Sequence, residues 1–118
     1  MIAAIMPEVT PHEGEAILTK SVPSSFGGTK LEELLKQGGF DHVVLTGFMT
    51  HLCVSTTARV ANEKDYQVTV VADATATRDL PDTLTGKTIL AADLHNNELA
   101  MLADAFAKIV TTQEILAA

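Results

Sequence analysis

The residue of this chain best suited to covalent chemistry is its only cysteine, in the stretch His42-Val-Val-Leu-Thr-Gly-Phe-Met-Thr-His-Leu-Cys53-Val-Ser-Thr-Thr-Ala-Arg59. The pattern is an apolar run, a glycine-containing turn and then a helical stretch with the thiol at its opening. N–H groups in the first turn of a helix lack intrahelical partners and carry the positive end of the macrodipole. A thiol placed there ionises more readily than a free one, and the thiolate is the nucleophilic form. Position alone is equally compatible with a cysteine that is simply a small buried hydrophobe.

Other candidates are weaker. His51 lies two residues before Cys53 and invites a Cys–His pair, but positions two apart on a helix face different directions. The four histidines, His12, His42, His51 and His95, are scattered and match no metal-ligand spacing, so no metal is expected. His95 reads as part of the surface or a half-buried face of a helix. Thr85-Gly-Lys-Thr88 looks like the end of a phosphate loop, yet the required first glycine falls on Pro81 and no strand precedes it. No cofactor is expected.

The elements that must position the thiol follow from hydrophobic pattern. His42–Thr46 and Gln67–Ala72 are continuous apolar runs of the kind found in parallel strands buried on both faces, with a helix over roughly 53–64 between them. A strand–helix–strand crossover puts Cys53 at the carboxyl edge of a parallel sheet, where such folds bind ligands. Upstream, residues 1–14 contain Pro7, Pro11 and Gly14 and predict loop or fragmentary helix, and Glu15–Lys20 predicts a short strand. Thr29-Lys-Leu-Glu32 predicts a capping box for a helix over 30–37, stopped by Gly38-Gly39. Downstream, the expectations are a polar loop from Asp73 to Pro81, with Asp73 capping that loop. A long helix from Thr88 to Phe106 follows, with Ile89, Ala92, Leu99, Leu102 and Phe106 on its apolar side. A strand over 108–112 and a last helical turn over 113–118 complete one α/β domain spanning 1–118.

Composition bounds the partners. The 118 residues are 47% hydrophobic, enough for a real core in one small domain. Fifteen acidic against eight basic residues give a net charge of −7 with no basic cluster, which removes the electrostatic footprint of nucleic-acid binding. No apolar run approaches the roughly 18 residues of a membrane span. One cysteine and no signal-peptide pattern in Met1–Pro7 suggest a reducing, cytoplasmic setting.

Lys20, Pro23-Ser-Ser-Phe26, Thr29-Lys-Leu31, Thr46-Gly47, Thr50-His-Leu-Cys53-Val54, Thr57-Ala58 and Val71-Ala-Asp73-Ala74 together resemble the isochorismatase-like cysteine hydrolase family. The resemblance runs from about Pro7 to the C-terminus. It implies a three-layer α/β/α Rossmann-like fold around a parallel sheet, and cleavage of C–N bonds in small amide or carbamoyl substrates through an Asp-Lys-Cys triad. Carried over by motif, Cys53 is the nucleophile and Lys20 the cation that favours its thiolate; the commoner fate of a single lysine is a solvated strand end. The resemblance further implies a cis peptide at Phe48–Met49, where an ordinary trans turn is the alternative, and an oxyanion hole from the backbone N–H groups of Met49 and Cys53. Phe26 and Phe48 are the nearest aromatic candidates for contacting substrate.

The family's first strand and its catalytic Asp have no counterpart here. The chain corresponds by resemblance to the C-terminal two thirds of the family domain, so the sheet is expected to be incomplete. The 42–46 strand should then present an open edge, for which self-association into a homo-oligomer is the expected outcome. The rival reading is a non-catalytic remnant acting as an oligomerisation or binding module, and a third is a redox-sensing thiol.

Overall fold

The computed structural model describes residues 3–118; Met1 and Ile2, the start of the apolar N-terminal stretch, lie outside the described residues. At the centre are three parallel strands in the order β1-β2-β5: β1 His42–Phe48, β2 Gln67–Ala76 and β5 Lys108–Val110. Helices α1 Leu31–Gln37, α2 Ser55–Glu63 and α3 Ala91–Ala105 cover one face, and α4 Thr112–Ala117 lies on the other. A small hairpin, β3 Leu80–Pro81 with β4 Thr88–Ile89, bridges β2 and α3.

Side-chain alternation along β2 assigns the faces. Val68 and Val70 enter the core with Ala58 and Ala61 of α2, Leu99 and Leu102 of α3, and Phe26 and Tyr66 from the connections. Thr69 points the other way, its hydroxyl bonded to His42 Nε2 at 2.8 Å. Leu102 and Val70 are fully buried, so the centre of the domain is the seam between β2 and α3.

Several local expectations are corrected. Glu15–Lys20 runs without regular structure, because no strand lies beside it to complete a ladder. The capping box does not form: Thr29 Oγ1 accepts the Leu31 N–H at 3.2 Å, but Glu32 turns away to Lys64 at 2.7 Å and Lys36 at 3.0 Å. Ion pairs with two cations outcompete one backbone N–H. Strand β1 is not buried on both faces. It alternates half-buried and exposed residues because only one of its faces is covered: Val43 and Leu45 pack toward the core, whereas Val44 is 49% and Phe48 66% exposed.

The loop expected from Asp73 begins instead as the end of β2, and Thr88–Ile89 are strand rather than helix. Helix α3 starts at Ala91, whose N–H is capped by Asp79 Oδ1 at 2.7 Å, twelve residues upstream. Ala92, placed on the apolar side by pattern, is exposed, whereas Leu99 and Leu102 are buried as expected. Asp73 caps α4 rather than the following loop, accepting the Thr112 N–H and hydroxyl at 2.7 and 2.8 Å.

Candidate active site

At the carboxyl end of β1 the chain makes a sharp reversal. Gly47 takes φ +111°, a left-handed conformation that side chains rarely adopt, and the Phe48–Met49 peptide is cis. A single π-helical turn, Thr50–Val54, then leads into α2. Cys53 therefore lies in a widened turn preceding the regular helix, half-buried, with Met49 O accepting the N–H groups of Leu52 and Val54 at 3.0 and 3.2 Å. π-turns of this kind occur frequently at functional sites.

Lys20 arrives from the irregular N-terminal arm. Its Nζ donates to Cys53 Sγ at 3.3 Å and to the Val22 carbonyl at 3.0 Å, a contact spanning 33 residues of sequence. The carbonyl fixes the ammonium group, and a second of its three donors points at sulfur. The pair opens onto a cleft of about 290 Å³ lined by Ser25, Leu45, Gly47, Phe48 and Thr57 among others. Only Lys20 and Cys53 among the lining residues carry ionisable side chains, and among the described residues no carboxylate lines the cleft.

The cleft wall opposite β1 is held by α2. Thr57, one helical turn beyond Cys53 and almost fully buried, accepts the Ser25 N–H at 2.9 Å and donates to Ser25 Oγ at 3.3 Å. Thr29 Oγ1 donates to the Ser25 carbonyl at 2.6 Å. Both main-chain polar groups of Ser25 are thereby tied down, which sets the path of the segment between Lys20 and α1.

Phe48 lines the cleft, as a substrate-contacting aromatic must. Phe26 does not. It is buried in the core, its ring 6.0 Å from that of Tyr66, so its apolar area is spent on packing and it is withdrawn from the candidate binding residues. His51 bonds Thr77 through Nδ1, away from any pairing with sulfur among the described contacts. Sequence reasoning gave no role to Thr57, Thr50 or His95. For Thr57 a signal existed: residues four apart share a helix face, so a threonine at Cys53 plus four had to point toward the same site.

The isochorismatase domain matches residues 1–114. The chain belongs to the isochorismatase family. Its relatives include the secreted isochorismatase effector Isc1 of Verticillium dahliae, 42% identical over 114 residues, covering 97% of this chain and 57% of that protein. An isochorismatase of Pseudomonas putida KT2440 superposes with a TM-score of 0.90 at 40% identity, over 94% of this chain and 56% of that one. Ureidoacrylate amidohydrolase RutB of Klebsiella pneumoniae is 38% identical over 71 residues, 60% of this chain and 30% of that protein. The chain thus spans less than two thirds of the length of these isochorismatase relatives. Its α/β fold with a parallel sheet is the isochorismatase fold, and among the described residues no helix is long and apolar enough to cross a membrane.

Proposed function

We propose that this isochorismatase-family chain carries the nucleophilic half of a cysteine hydrolase site acting on a small amide or carbamoyl substrate. The observation that supports this most strongly is the 3.3 Å approach of Lys20 Nζ to Cys53 Sγ at the mouth of a cleft. An ammonium donor at that distance hydrogen-bonds the sulfur that would attack a carbonyl. The relationship to an amidohydrolase supports the substrate class, as does the cysteine itself, since by family resemblance an enol-ether hydrolase can dispense with it.

In the proposed reaction, thiolate sulfur attacks the substrate carbonyl carbon, and the N–H groups of Met49 and Cys53 stabilise the resulting oxyanion, at about 3 kcal/mol per donor. The C–N bond then breaks and the departing amine takes a proton, for which the Lys20 ammonium is the donor at hand. Water cleaves the thioester, releases the acid and returns a proton to lysine. Among the described residues no carboxylate lines the cleft, so the neutral Lys20 amine is the base at hand for that water. With an activated amide, whose amine departs readily, acylation outruns deacylation and acyl-enzyme accumulates.

Intact-mass measurement after mixing with an activated aryl amide tests this reading. A stoichiometric acyl adduct on the wild-type chain and none on Cys53→Ala is the expected result. Amide turnover unchanged in Cys53→Ala would overturn it.

A second reading, an oligomerisation or binding module, is favoured by the unpaired edge of β1; self-association through that edge is compatible with catalysis and is proposed alongside it. A working free thiol also fits the reducing interior of a cell, and a cytoplasmic location is proposed on that ground.

A further inference from the structure

The π-turn that carries Cys53 is anchored from behind by a residue pair outside the cleft. Thr50, the first residue of the turn, is fully buried, and its hydroxyl lies 2.8 Å from His95 Nδ1. His95, half-buried on α3, places Nε2 3.0 Å from the carbonyl of Ala72. That carbonyl is available because the β1–β2 register breaks here: two steps along β1, from Leu45 to Gly47, match five along β2, from Val70 to Thr75. Ala72 thus sits in a bulge beside the turn.

The hydrogen-bond chemistry admits one arrangement for a neutral ring. A carbonyl oxygen only accepts, so Nε2 carries the proton; Nδ1 is then a lone-pair acceptor, and Thr50 must donate to it. The chain Thr50 O–H to Nδ1, Nε2–H to Ala72 O joins three elements, the nucleophile turn, α3 and the bulge of β2, at one imidazole. A buried hydroxyl without this acceptor would be left unsatisfied, so the turn has one favoured seating.

We propose that His95, through Thr50, is a positioning residue for Cys53: it fixes the nucleophile turn so that Sγ faces Lys20. The inference rests on the reading of Cys53 as nucleophile but is tested on the thiol itself. Iodoacetamide alkylation of Cys53, the only thiol, is compared across wild type, Thr50→Val, Thr50→Ser and His95→Leu, with thermal unfolding measured on each.

Thr50→Val and His95→Leu should slow alkylation by about tenfold or more, the scale of one buried hydrogen bond, while Thr50→Ser, which keeps the hydroxyl, should retain the wild-type rate. Folded Thr50→Val and His95→Leu chains that alkylate as fast as wild type would overturn the proposal. The ¹⁵N shifts of the wild-type His95 ring provide a test that needs no variant: a neutral imidazole protonated at Nε2 is expected, and protonation at Nδ1 alone would contradict it. Failure to hydrolyse any amide, with these alkylation ratios intact, would count against the hydrolase reading and leave the positioning role standing.

Discussion

At the scale of single residues, two side chains from distant parts of the sequence meet at one cleft. Cys53 was legible because a strand, a glycine turn and a helix bracket it. Lys20 was legible only through family resemblance, since nothing in the local pattern of residues 15–20 marks a lysine that reaches a thiol 33 positions away. Phe26 and Phe48 show the complementary limit. Both are aromatic residues near the motif, but one stacks on Tyr66 in the core and the other stands 66% exposed at the cleft. Phe48 is proposed to contact substrate, and Phe48→Ala removes its exposed ring without opening a cavity. Acylation of Cys53 by an aryl amide should slow severalfold while alkylation by the much smaller iodoacetamide is unchanged. Equal losses in both rates would mean that Phe48 shapes the turn and does not contact substrate.

At the scale of elements, the parallel pair β1 and β2, the connecting helix and the final strand and helix follow directly from apolar runs and turn residues. The start of α3 was not legible, because its cap, Asp79, lies twelve residues upstream. Helix α4 carries a local cap, Thr111 Oγ1 accepting the Glu114 N–H at 3.1 Å, and beside it the remote Asp73, 39 residues before Thr112, which no local pattern records.

Asp73 also yields a pH prediction. The Thr112 N–H first, and its hydroxyl second, hold the Asp73 carboxyl below its ordinary value of 3.8. The folded chain therefore binds this proton more weakly than the unfolded chain. The contribution to stability is fully present above about pH 3.8 and is lost as pH falls through the lower folded value. The difference in urea midpoint between wild type and Asp73→Asn should be constant from neutral pH down to about pH 5 and shrink toward zero below about pH 3.8. A difference that grows on acidification would refute the capping assignment. The ion pairs of Glu32 with Lys64 and Lys36 are common to both proteins and cancel in the comparison.

For the whole molecule, β1 lies at one edge of the sheet: among the described residues it pairs with β2 alone, and Val44 is 49% exposed on the sheet face opposite α2 and α3. An unpaired strand edge beside exposed apolar side chains is a template for pairing with another chain. Concentration-dependent self-association in sedimentation velocity is expected, shifted toward monomer by Val44→Lys. A single monomeric species across the accessible concentration range would contradict this. The same strand flanks the cleft: Leu45, Gly47 and Phe48 belong to both.

The fold brings Lys20 Nζ to 3.3 Å from Cys53 Sγ, and the proposed site depends on that contact activating the thiol. The most direct test is the second-order rate of iodoacetamide alkylation at neutral pH for the wild-type chain, for Lys20→Met and for a free small thiol. The geometry predicts a wild-type rate above that of the free thiol and a loss of about tenfold or more in the folded Lys20→Met chain, one decade being 1.36 kcal/mol of interaction with the thiolate. Equal rates for wild type and Lys20→Met would contradict the account, because the 3.3 Å contact would then be a neighbour of the sulfur without being the source of its reactivity.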